Sequence, residues 1–370
     1  MKKAILLPRK YIQGRGLIAE VGAYAAILGK KTVVLWGATT KKTVGETVLA
    51  SLKAAGVEYT DVHFNGECTK EEAERVAGIA KNGHECVIGI GGGKVIDAAK
   101  AVAIYAKLPH IIVPTVASND SPTSACTVWY DKEGVCVGFD LWPANPDYIL
   151  VDTEVIAQAP LRYLQAGIGD AMATWFEAEA SYASRAVTCS GGVPTMTAMA
   201  MAKLCYEILK EFGLQAIEDV KVHAVTPALE KVVEASVLLS GIGWESGGLA
   251  TAHVLGNGLP ALAETHHYLH GEKVSFGIMT QLCLDDSLST CLKEETACFL
   301  AKVGLPVCFA DLNMDKISAE RLKEWAKNNT GEGSFVHNHN FKVSAGDLYD
   351  AMLAADALGK KVKACLEKCC

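Results

Sequence analysis

Four of the ten histidines fall within eighteen positions of one segment, TAHVLGNGLPALAETHHYLHGEKVSFG: His253, His266, His267 and His270. Imidazole is the commonest metal ligand in proteins. Two imidazoles with one carboxylate make the three-ligand set of catalytic zinc sites, which leave a fourth position open to a substrate oxygen. Any one histidine alone is more often a core or surface residue. A carboxylate is offered by Asp170 in GIGDAMATWFEA, among apolar neighbours that bury it. A buried carboxylate is costly unless a cation or hydrogen bonds compensate. The same segment places Asp170 at the start of a helix, so an N-cap is a second reading of this residue beside ligation.

A second chemistry-bearing segment is CVIGIGGGKVIDAAKAV. Gly89, Gly91, Gly92 and Gly93 stand between an apolar strand and a helix, where glycine lets backbone N–H groups approach a pyrophosphate at the helix N-terminus. The cluster matches neither G-x-G-x-x-G nor the P-loop, because Lys94 is followed by Val95, and a ligand-free βα turn also fits it. Downstream, PTVASNDSPTSACTVWY offers the hydroxyls of Thr115, Ser118 and Ser124 directly after a strand.

The elements that must position these groups are legible in outline. KTVVLW, VEYTDVHF, ECVIGIG, HIIVPTV and DYILVDT read as strands alternating with helix-period stretches such as EEAERVAGIAKNG, which predicts a parallel sheet covered by helices on both faces. Beyond Pro160 Ala, Met, Leu and Glu dominate and the remainder reads as all-α. With 370 residues, two domains are expected: 1–160, an α/β dinucleotide-binding domain, and 161–370, an all-helical metal- and substrate-binding domain. The least regular stretch, 328–345, reads as an exposed or cleft-lining loop.

Half of the residues are apolar and mean hydropathy is +0.19, which predicts a compact globular chain. A net charge of -7 argues against a nucleic-acid partner. Pro8, Arg9 and Lys10 interrupt the N-terminal apolar run before a signal core forms, and no run suits a membrane span, so a cytoplasmic protein is expected. The thirteen cysteines then read as reduced thiols, and the closing Cys369–Cys370 pair has no zinc-finger partner spacing.

Taken together, KYIQG, GIGGGK, the SNDSP loop, AGIGDAMATWFEA, SGGLATAH and HHYLHGEKVSFG run through nearly the whole chain. In this combination the sequence resembles the iron-containing alcohol dehydrogenase superfamily, and within it the glycerol dehydrogenases. The resemblance implies a Rossmann-like sheet domain followed by a helical one, the dehydroquinate synthase-like architecture. It implies Asp170, His253 and His270 as metal ligands and Asp120 as a contact to the polyol. Gly92, Gly93, Lys94, Thr115, Ser118, Ser124, Cys126 and Tyr130 would line the cofactor site, with Asp97 supporting the turn. The implied cofactors are NAD, with NADP as the alternative, and Zn²⁺, and the implied assembly is a homo-oligomer. The iron-using branch commonly has a histidine four positions after the aspartate. Thr174 stands there, which favours three-ligand zinc.

Two departures matter. Where similar enzymes place an aspartate for the adenosine ribose, this chain reads Trp36-Gly37, with Lys41 and Lys42 nearby. Gly256 stands where relatives often have a second histidine, and Asn119 and Thr123 alter the substrate loop. The implied reaction is metal-dependent hydride transfer between a vicinal diol or polyol and NAD(P), giving a hydroxyketone. Its rivals are an sn-glycerol-1-phosphate dehydrogenase or dehydroquinate-synthase-like cyclase, which need a basic cluster where only Lys273 is found, and a non-catalytic nucleotide- or polyol-binding protein.

Overall fold

The computed structural model describes residues 1–369; Cys370 of the closing cysteine pair lies outside the described residues. The chain forms two compact units. One comprises Leu6–Tyr163 with Glu218–Gly241, and the other Met1–Ile5, Leu164–Ile217 and the chain from Ile242 onward. The crossing at 163/164 falls close to the texture change at Pro160. The return at 218–241 has no counterpart in composition, because one long helix runs through residue 218 without a break.

The first unit is built from β1 (Lys10–Gly14), α1 (Val21–Leu28), β2 (Lys31–Trp36), α2 (Ala38–Ala54), β3 (Glu58–His63), α3 (Lys70–Ala80), β4 (Cys86–Gly91), α4 (Gly93–Ala106), β5 (His110–Pro114), β6 (Cys126–Tyr130), β7 (Cys136–Leu141), β8 (Tyr148–Asp152) and α5 (Thr153–Ala157). Six strands form a parallel sheet in the order β1-β8-β5-β4-β2-β3. Alternation along β2 explains why both faces are covered. Val34 and Trp36 pack with α1 and α2, whereas Val33 and Leu35 pack with α3 and α4. β4, β5 and β8 are buried along their whole length, as strands under helices on both faces must be. β6 and β7 pair antiparallel as a separate hairpin. CTVWY is thus a strand, although the hydroxyl-rich segment that contains it reads as a loop in sequence.

The remaining helices are α6 (Leu161–Ser184), α7 (Met196–Lys221), α8 (Pro227–Glu234), α9 (Ser240–Gly247), α10 (Thr251–Gly258), α11 (His270–Leu284), α12 (Thr290–Val303), α13 (Ala319–Asn329) and α14 (Ala345–Cys369). Side-chain caps mark several starts: Thr226 accepts from the Leu229 N–H ahead of α8, Ser289 from Leu292 ahead of α12, and Ser318 from Arg321 ahead of α13. Residues 166–174 of α6 are all buried, so this helix is enclosed on every side.

Stretch 328–345 is mostly irregular chain with exposed or half-buried residues, as expected, and a few of its residues anchor it. Val336 is fully buried, His339 nearly so, and Asn338 Nδ2 donates to the Leu249 carbonyl at 2.7 Å. Among the described residues no helix is long and apolar enough to cross a membrane. Every cysteine whose side chain is described is a free thiol.

Candidate functional site

Asp170 does not cap a helix. It is the tenth residue of α6, which begins at Leu161, so the N-cap reading is ruled out. Gly169 marks close helix packing. A β-carbon on Gly169 would lie 2.6 Å from the Gly271 carbonyl oxygen, and one on Gly271 would lie 1.8 Å from the Ala166 carbonyl oxygen. α6 and α11 thus meet backbone to backbone. α11 meets α10 in the same way, since a β-carbon on Gly277 would sit 2.3 Å from the Ala252 carbonyl oxygen. These glycine contacts bring together Asp170 on α6, His253 on α10 and His270 at the head of α11.

The Nε2 atoms of His253 and His270 lie 3.4 Å and 3.2 Å from Asp170 Oδ1, and one donor atom from each of the three residues falls within 4.8 Å of the others. His266 and His267 lie outside this group. Asp170 and His253 are buried, while the His270 side chain is 31% exposed, so the cluster is open on the His270 side. Glu177, wholly buried and seven residues after Asp170 on the same face of α6, touches Nδ1 of His253. Burial pushes the Asp170 carboxyl up, and the two imidazoles more than reverse this, holding it well below the usual carboxylate range. Burial pushes the His253 imidazole down, and Glu177 with Asp170 outweighs it, raising it well above the ordinary histidine value. Two buried carboxylates facing two imidazoles therefore form a locus that demands positive charge. One carboxylate oxygen and two imidazole nitrogens suit a divalent cation of the zinc type.

In the sheet unit, Gly92 is the N-cap residue of α4 and Gly93 its first residue. A β-carbon on Gly93 would lie 2.7 Å from Asn119 Nδ2, so the turn and the 116–125 loop touch there. Gly89 serves packing: its β-carbon would lie 2.3 Å from that of Ala99. The Lys94 ammonium pairs with Glu67 at 2.7 Å and lies 4.9 Å from the Tyr130 ring centre. Asp97 is buried, accepts from Ser121 Oγ at 2.6 Å and from the Val128 N–H at 3.0 Å, and pairs with the buried Lys100 at 2.8 Å. Thr115 donates its N–H to the Gly91 carbonyl, and Ser124 Oγ donates to the Ser121 carbonyl. Ser118 is partly exposed, and Cys126 opens β6 as a buried thiol. Asp120 accepts from Ser240 Oγ at 2.7 Å. Gly37 caps α2 in extended conformation, and a β-carbon there would meet only Val95, at 3.9 Å.

Residues 8–153 match the family described as iron-containing alcohol dehydrogenase. A glycerol dehydrogenase of Pseudomonas putida is 42% identical over 97% of this chain and 99% of its own length. One from Thermotoga maritima is 44% identical over 97% and 98%. The chain belongs to the iron-containing alcohol dehydrogenase family. The crystal structure of the Schizosaccharomyces pombe glycerol dehydrogenase superposes on this family member with a TM-score of 0.95, at 33% identity, covering 99% of this chain and 93% of that one. This alcohol dehydrogenase is accordingly a metal-dependent oxidoreductase acting on alcohols.

Three residues of the dehydrogenase's two loci escaped sequence reading. Glu177 had a signal, its heptad spacing from Asp170. Lys100 had a weaker one, a D-x-x-K spacing inside an apolar helix. Ser240 had none, because its link to Asp120 depends on a π-helical stretch at Ala235–Leu239, whose Val237 carbonyl accepts from Thr123 Oγ1 at 2.5 Å.

Proposed function

We propose that the protein is a zinc- and nicotinamide-dependent dehydrogenase of vicinal diols of the glycerol class, interconverting a secondary alcohol and its hydroxyketone. The observation that carries this reading is the Asp170, His253 and His270 cluster, with donor atoms within 4.8 Å and one side open. These three residues would hold the cation. A divalent cation there would supply Lewis acidity to an alcohol oxygen.

The chain's own residues do the rest. Asp170 brings the negative charge, and His253 and His270 present Nε2 lone pairs. Thr174, wholly buried on the same helical face, adds no fourth nitrogen, which favours zinc over iron. On the sheet unit the Gly92-Gly93 backbone at the head of α4 would receive the pyrophosphate, with Thr115, Ser118, Ser124, Cys126 and Tyr130 lining the remainder. Lys94 would add charge at that turn, and Asp97 would hold the turn in place. Asp120, fixed by Ser240, would accept a hydrogen bond from a polyol hydroxyl, which makes a diol a better substrate than a simple alcohol. The nicotinamide supplies the hydride acceptor, and with no acid at Gly37 both NAD and NADP are accommodated. Lys273, the one basic residue near the metal motifs, donates to the Tyr268 carbonyl at 2.6 Å, which weighs against phosphate-carrying substrates. Cytoplasmic location, homo-oligomeric assembly and a metal-binding role for the helical unit of 164–217 and 242 onward belong to the same proposal.

Initial rates on glycerol, propane-1,2-diol and propan-2-ol with NAD⁺ and NADP⁺ test it. The diols should exceed the monoalcohol in kcat/KM by about tenfold or more. Equal rates on all three would reject the diol assignment.

A further inference from the structure

We propose that Glu177 is the positioning residue for His253: one buried carboxylate caps the helix that carries this histidine and fixes which ring nitrogen faces Asp170. The inference rests on the metal reading given above. Oε1 of Glu177 accepts from the Ala250 N–H at 2.8 Å and from the His253 N–H at 2.9 Å. These are N–H groups of the first turn of α10, whose N-cap residue, Ala250, offers no side-chain cap. Oε2 touches Nδ1 of the His253 ring. A carboxylate only accepts, so Nδ1 must carry the proton. In the neutral imidazole that ligates a metal, the lone pair is then on Nε2, the atom 3.4 Å from Asp170 Oδ1.

The corner entering α10 is also pinned independently of Glu177. The Leu249 carbonyl accepts from Ser181 Oγ at 3.1 Å and from Asn338 Nδ2 at 2.7 Å, and Thr251 Oγ1 bonds His339 Nε2 at 2.8 Å. A near-isosteric change at Glu177 therefore leaves the corner in place while changing what His253 meets. In Glu177→Gln, whichever way the amide is turned, its NH₂ faces another donor. If it faces the ring, Nδ1 must become the acceptor and the proton moves to Nε2, where a cation needs the lone pair.

The test is Co²⁺ binding by the full-length protein stripped of metal, read by the visible ligand-field spectrum and by chelator competition, for wild type, Glu177→Gln, Glu177→Asp and His253→Ala. The expected result for Glu177→Gln is about 10- to 100-fold weaker Co²⁺ binding and an altered spectrum, with the metal-free protein still unfolding in one cooperative transition. Glu177→Asp, which keeps the charge on a shorter arm, should fall between them. Wild-type affinity and spectrum in Glu177→Gln, with binding lost in His253→Ala, would overturn the role of Glu177 alone. If Glu177→Gln does not fold, Glu177→Asp decides, and wild-type affinity there overturns the role. Wild-type affinity in His253→Ala, or no uptake by wild type, removes the metal triad and this inference with it.

Discussion

The Ala166 carbonyl oxygen lies 1.8 Å from where a β-carbon on Gly271 would stand. α6 and α11 can approach this closely only because residue 271 has no side chain, and the approach is what sets His270 beside Asp170. Gly271→Ala should therefore force the helices apart. It should cost about 3 kcal/mol or more in urea unfolding of the metal-free protein, and cation binding should weaken with it. A variant as stable as wild type would show that the crossing is not under this constraint.

Lys100 is buried beneath the proposed nucleotide site. Its ammonium reaches Asp97 at 2.8 Å and the carbonyls of Ser121 and Ser124 at 2.9 and 3.3 Å, tying α4 to the loop that follows β5. Lys100→Met strands the Asp97 carboxylate in the interior and should cost about 3–5 kcal/mol. Isothermal titration should show weaker NAD(H) binding with metal content unchanged. Adding Asp97→Asn should recover part of the stability, since it removes the stranded charge. No recovery would mean that the pair matters for shape rather than charge.

Gly37 can be given back an acid. Its backbone is extended (φ −77°, ψ 159°), a β-carbon has room, and the position is the N-cap of α2, where aspartate is favoured. Gly37→Asp should shift the ratio of kcat/KM for NAD⁺ over NADP⁺ upward by about tenfold or more, through hydrogen bonds to the ribose and repulsion of a 2′-phosphate. An unchanged ratio would show that this turn does not read the ribose.

His110 opens β5 in the sheet core. Burial pushes it down to about 4, with Lys100 adding to the shift and Asp147, 3.7 Å away, opposing it. Its folded value lies below the unfolded value of about 6.5, so between these limits the unfolded chain binds the extra proton. Its contribution is fully present above about pH 6.5 and is lost as pH falls toward 4, amounting to about 2 kcal/mol by pH 5. Urea midpoints of His110→Asn should decline less than wild type from pH 7 to pH 5. Parallel declines would count against a neutral buried imidazole.

The legible parts of the molecule were those written in local pattern. KTVVLW and CVIGIG announced β2 and β4 because their runs are short, β-branched and followed by turn residues. The ligand candidates stood out because histidines cluster and because Asp170 sits among apolar neighbours. What local pattern could not carry was closeness between helices. Gly169 and Gly271 look like helix breakers in sequence, and only the crossing of α6 with α11 shows that they make room for a neighbouring backbone. For the same reason a helix cap stood beside ligation as a reading of Asp170, which sits mid-helix. The return of 218–241 to the sheet unit and the Ser240 to Asp120 bond are long-range facts, with partners 120 positions apart.

The proposed chemistry requires that Asp170, His253 and His270 hold a cation. Metal content per chain, measured by inductively coupled plasma spectrometry on wild type and His253→Ala beside their turnover of glycerol, tests this most directly. One zinc per chain with turnover is expected in wild type, and near-total loss of both in the variant. Turnover by metal-free protein, or a variant that keeps its full complement of zinc, would contradict it.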